Sequence, residues 1–131
     1  MASRRNCGIV GEFDSKSGQL KARTKAFAVR VVRLFQALPT RPDAQVMGKQ
    51  VLRSGTSVAA NYRAACRART KREFTARIGV VAEEADETVL WLELLCDAGV
   101  LPSSRLQPWL KEARELTAIF TASHNTACGR R

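Results

Sequence analysis

Apolar positions recur with the α-helical period in four stretches of the chain. In the first, Phe27, Val31, Leu34, Phe35 and Leu38 share one face, opposite Lys21, Arg23, Lys25, Arg30 and Arg33. That division predicts an amphipathic helix from about Leu20 to Ala37, which Pro39 and Pro42 stop. A second helix is predicted from Pro42 and Asp43, since proline suits a first helical turn and an acid there complements the helix dipole. Met47, Val51, Gly55, Val58, Tyr62 and Ala65 form its stripe, with small residues Ser54, Gly55 and Ala59 at the centre. Glycine in a helix costs about 0.5–1 kcal/mol relative to alanine, which a close neighbouring helix can offset. The stripe keeps its phase across Gly55. That favours a continuous helix over a break at Ser54-Gly55-Thr56 with a new cap at Thr56 or Ser57.

The third stretch is the longest. Thr70 and Glu73 have the spacing of a capping box, and Phe74, Ile78, Val81, Ala85, Thr88, Leu92 and Leu95 follow in alternating steps of four and three. Gly99 is placed for a left-handed residue ending this helix. The fourth helix follows Pro102, with Ser104 and Gln107 spaced as a second capping box and Leu106, Leu110, Ala113, Thr117 and Phe120 as its stripe. No strand pattern with hairpin turns is present. The fold class expected is therefore all-α, an up-down-up-down antiparallel four-helix bundle over residues 20–122. Residues 1–19 and 123–131 lack a period and are expected to be flexible tails. Asn61, next to Tyr62 on the second stripe, is expected to be buried or half-buried.

Length adds one constraint: 131 residues fit one domain with a core large enough to need no metal or disulfide. Cys7, Cys66, Cys96 and Cys128 are far apart and form no C-x-x-C pair, and His124 is the single histidine. A zinc site needs clustered ligands, so no metal is expected. Cys66 and Cys96 are expected to be reduced, buried thiols. No phosphate-cradling glycine loop or nucleophile elbow occurs, so neither a cofactor nor a catalytic residue is expected. Glu83-Glu84 and Asp86-Glu87 lack the histidines of a di-iron bundle and read as a solvated face. No apolar run is long enough to span a bilayer, and the N-terminus has no signal-peptide core. The expected location is the cytoplasm, with no membrane partner.

Charge changes the picture more. The formal charge is +10. From Lys21 to Arg77, 14 basic residues stand against Asp43 and Glu73, whereas Glu83 to Asp97 holds six acids and no base. Asymmetry of this kind bears on partners rather than on fold.

Three blocks also carry a likeness. Gln50-Val51-Leu52-Arg53-Ser54-Gly55-Thr56-Ser57-Val58-Ala59-Ala60-Asn61 resembles the motif of the 23S ribosomal RNA intervening-sequence proteins, also called the four-helix bundle protein family. Arg69 to Phe74 resembles that family's basic linker and aromatic helix start, and Glu83 to Leu95 its acidic third helix. One departure is a glutamate of the family, replaced here by Ala64. The resemblance covers about Phe27 to Phe120 and implies a four-helix bundle assembling as a homopentamer. It also extends to the accessory proteins of diversity-generating retroelements, basic pentamers associated with nucleic acid. It implies no enzymatic activity.

Two functional readings follow. Arg53, Arg63, Arg67, Arg69, Lys71 and Arg72 could contact the phosphates of RNA or DNA without reading sequence; the plain alternative is a solvated basic face. In the other reading the protein is an assembly or scaffold, its basic stretch meeting the acidic stretch of a neighbouring copy in a head-to-tail ring. Trp91 and Trp109 each lie one residue before a stripe position, turned about 100° from it. They fit either an oligomer interface or a flank of the core.

Overall fold

A computed structural model describes residues 15–130 of the chain. Four helices account for its regular structure: α1 Lys16–Gln36, α2 Pro42–Cys66, α3 Lys71–Asp97 and α4 Ser103–Ala127. Short connections force consecutive helices to run antiparallel. α2 packs against α1 and α3, α3 against α2 and α4, and α1 lies more loosely along α4. This is the all-α bundle that the periodicity predicts.

The stripes become the core. Phe27, Val31 and Leu34 of α1, Val51, Val58 and Tyr62 of α2, Ile78, Val81, Leu92 and Leu95 of α3, and Leu106, Leu110 and Phe120 of α4 are all buried. The diagonal helices α2 and α4 meet at the centre through the Tyr62 and Phe120 rings, 5.1 Å between centroids. Burial raises the Tyr62 phenol above its ordinary range, and the neighbouring Cys66 adds to the rise. The fourth stripe differs by one position: Leu116 is buried where the spacing indicated Thr117, which is half-buried and bonds back to the Ala113 carbonyl.

α2 is continuous through Ser54-Gly55-Thr56. A Cβ on Gly55 would lie 2.9 Å from Cγ2 and 3.0 Å from Cγ1 of Val31. Hydrogen at this position is what lets α1 close on α2. On the opposite flank Ser54, fully buried, accepts from the Thr88 hydroxyl of α3 at 2.8 Å and donates to the Gln50 carbonyl. Asn61 is half-buried, and its amide donates to the Ser57 carbonyl of its own helix at 3.0 Å.

The helix ends show how local chemistry and packing divide the work. Thr70 caps α3 as expected, accepting from the Glu73 amide at 3.0 Å, while the Glu73 carboxylate accepts from the Arg69 amide. At the other end Gly99 adopts φ +73°. The Val100 amide reaches the Leu95 carbonyl and the Gly99 amide reaches that of Cys96, the paired bonds of a Schellman stop. The second capping box is not formed. Pro102 is the N-cap of α4 and Ser104 lies inside the first turn; Gln107 instead donates to the Ser103 hydroxyl.

Two boundaries are corrected. α1 begins at Lys16, capped by the Ser15 hydroxyl on the Gly18 amide, rather than at Leu20. α4 continues through Ala127 instead of losing helix at Ser123. The reason is tertiary: these two ends lie side by side, with Lys16 and Gln19 sharing a groove with Ser123 and Thr126. The His124 ring also rests on Gly79 of α3, where a Cβ would stand 3.0 Å from Nε2. A polar segment without a stripe stays helical because neighbours hold it. The remainder of the expected N-terminal tail, with Cys7, lies outside the described residues. Cys66 and Cys96 are free thiols, half-buried rather than fully buried.

Two stability predictions follow from these contacts. Gly55→Ala gains about 1 kcal/mol of helix propensity but crowds the stiff, fully buried Val31, an overpacking that costs about 1–3 kcal/mol. Urea unfolding should show net destabilisation. In a Val31→Ala background the same change should become stabilising, and a cost unaltered by that background would refute the close-approach account. Gly99→Ala forces a Cβ into the left-handed region, so its unfolding free energy should fall by about 1–2 kcal/mol; no change would mean the Schellman turn can relax without glycine.

Candidate nucleic-acid interface

Where the basic side chains end up depends on helix faces. The six positions singled out above separate into three groups. Arg53 points to the α2/α3 flank, where its guanidinium pairs with Glu84 at 3.2 Å and with Glu87, and its Nε donates to Gln50. Glu87 in turn accepts from the Trp91 indole at 2.9 Å. Arg53 is thus paired with the acidic helix of its own chain while remaining exposed.

Arg63, Arg67 and Arg69 line a shallow groove of about 490 Å³ on the α2/α3 side, together with Arg77 and Glu73. Glu73 neutralises part of that charge, lying 4.0 Å from Arg77. Lys71 and Arg72 face another way, beside Ala127 at the end of α4. One helical turn separates Arg67 from Lys71 in sequence, but the turn between α2 and α3 sends the two to different flanks.

The tertiary structure adds two cations that no local motif marks. Lys21 and Lys25 of α1 join Arg63 of α2 and Arg67 at its C-cap around a deeper groove of about 720 Å³. Small residues make its floor, Gly18 and Ala22 from α1 and Ala59 and Ala60 from α2, and Cys66 also lines it. Among the described residues, no carboxylate lines it. Lys21 and Lys25 are four residues apart on α1, about 6 Å along the axis, and Arg63 and Arg67 have the same sequence spacing at the end of α2, so each wall carries two charges. The lysines are some 40 residues from the arginines in sequence, and only antiparallel packing of α1 against α2 brings them together. The basic face of the first helix was visible in the sequence; its partner wall was not.

The tryptophans are partly buried flanks of the core, each with a partner in its own chain. Trp91 holds Glu87, as above. The Trp109 indole donates to the Arg30 carbonyl at 3.2 Å, and the Arg30 guanidinium lies 5.4 Å from the ring centroid. α1 is further tied to α4 by Arg23, whose fork meets Glu112 at 2.7 and 2.8 Å and Glu115 at 2.7 Å. The Glu112 carboxylate holds the Arg23 guanidinium well above its ordinary pKa, against the opposing effect of burial.

Among the described residues there is no cluster of three or more His, Cys, Asp or Glu side chains able to hold a metal. No helix of the described residues is long and apolar enough to cross a membrane.

Residues 18–122 match the family model described as 23S rRNA-intervening sequence protein. The fold also matches the crystal structure of a protein of unknown function from the S23 ribosomal protein family of Bacteroides thetaiotaomicron. The two are 32% identical with a TM-score of 0.78, and the match covers 85% of this chain and 99% of the other. No curated protein matches the chain. Neither match carries a catalytic assignment. The bundle, its α2 motif and its acidic α3 thus have one common source: the chain belongs to the 23S rRNA intervening-sequence protein family.

Proposed function

We propose that this protein is a non-enzymatic, self-assembling bundle that binds the backbone of RNA or DNA. The observation that carries the reading is the α1/α2 groove, where Lys21, Lys25, Arg63 and Arg67 converge on one depression. Such a cluster attracts phosphate without reading base sequence. The family's name, which ties it to an rRNA intervening sequence, is in keeping with a nucleic-acid partner. Arg69, Lys71 and Arg72 extend the basic end of the bundle as outlying phosphate contacts.

Self-assembly is supported by a different surface. Leu90 and Leu94 of α3 are 49% and 36% exposed. On the helical period they share a face with Val80, Glu83 and Asp97, so the patch is apolar and acidic at once. On the outer face of α1, Val29 is 43% exposed next to Arg33. The two patches are complementary in charge and alike in being apolar, which suits a heterologous contact that closes into a ring. The homopentamer implied by the sequence resemblance is the expected size. Trp91, next to Leu90, belongs to the same proposed surface; Trp109, covered by Arg30, contributes indirectly by fixing α1 on α4.

Both parts are testable. Binding of a mixed-sequence oligonucleotide should weaken steeply with salt. The Arg63→Gln/Arg67→Gln variant should reduce the slope of log affinity against log salt by roughly 2 per engaged subunit. Arg53→Gln should leave the slope unchanged, because that guanidinium already belongs to Glu84 and Glu87. Equal loss from both variants would contradict the assignment. For assembly, light scattering should give a pentamer that Leu90→Glu/Leu94→Glu converts to smaller species; a wild-type monomer at micromolar concentration would end that part of the proposal.

A further inference from the structure

The shape of the α1/α2 groove limits what can occupy it. Packed helices lie about 8–10 Å apart, so the valley between α1 and α2 is narrow. Its cations stand on both walls, Lys21 and Lys25 on one and Arg63 and Arg67 on the other, above a floor of Gly18, Ala22, Ala59 and Ala60. A duplex is a stiff, convex rod with its phosphates on the outside. It would rest across the crests of the two helices and leave the small-residue floor unused. A single strand bends freely. It can enter the valley, place its phosphates between the facing cation pairs and lay sugar and base edges on the alanine floor.

We infer that the α1/α2 groove, bounded by Lys21, Lys25, Arg63 and Arg67 over Ala22, Ala59 and Ala60, is a seat for single-stranded nucleic acid and selects it over duplex. The inference rests on the nucleic-acid reading above and adds the form of the ligand and the place where it lies. Among the described residues the groove offers no aromatic stacking platform, since none of the Phe, Tyr or Trp side chains described lines it. Selection therefore comes from depth and from cations on two walls, not from the stacking common to single-strand binders. Base identity is not read, and strands of different sequence should bind alike.

The test changes shape without changing charge. Ala22 and Ala60 are both exposed, and leucine is a good helix former, so Ala22→Leu/Ala60→Leu should fold normally, which circular dichroism would verify. Wild-type protein should bind a single-stranded oligonucleotide more tightly than a duplex with the same number of phosphates. The filled-floor variant should lose that preference while keeping its affinity for duplex. As an independent readout, the single strand should slow alkylation of Cys66, which lines the groove, and leave Cys96, half-buried on α3, unaffected. If wild-type protein binds both forms equally and Cys66 stays unprotected, the groove assignment is overturned and general backbone binding stands. If it binds neither, the nucleic-acid reading fails and takes this inference with it.

Discussion

The distance between α1 and α2 is the constraint on which the rest of the molecule turns. Gly55 permits it: Val31 fills the space that a side chain at this position would occupy. A larger residue would push the helices apart and open voids around Phe27, Val51 and Val58, where tight packing supplies most of the stability. The same approach sets the width of the groove further along the pair, where Gly18, Ala22, Ala59 and Ala60 replace larger side chains. A core requirement and a surface feature thus share one cause.

α2 is held equally firmly on its other side. The Ser54–Thr88 hydrogen bond is fully buried, and on the surface Arg53 pairs with Glu84 and Glu87 across the same two helices. Exposed ion pairs contribute only about 0–1 kcal/mol each, so the arginine matters less for stability than for charge distribution. It offsets one of the two carboxylate charges and leaves that flank net acidic. Arg23 does the same with Glu112 and Glu115 on the α1/α4 side. Outside these networks the basic residues gather near the α2–α3 turn and the acidic ones on a leucine-bearing face of α3. The formal charge of the chain is therefore a poor guide to which cations can meet a ligand.

The four helices, most of the core and the stop at Gly99 are legible in the order of residues alone. These depend on periods of three and four residues and on caps, which are local. The sequence also marked the unbroken course of α2, because the apolar phase survives Gly55. It misplaced what depends on neighbours. Ser123 to Ala127 stays helical because His124 rests on Gly79 and Lys16 lies alongside. Between Ala113 and Phe120 the helical period admits either Leu116 or Thr117, and the packed bundle buries the apolar one. Above all, only the tertiary structure decided which charges act together. Arg53 and Arg63 look equivalent along the chain, yet one meets two glutamates and the other faces Lys21 and Lys25. A charge acts over a few ångströms of space, and neighbours at that distance are chosen by helix packing, not by position in sequence.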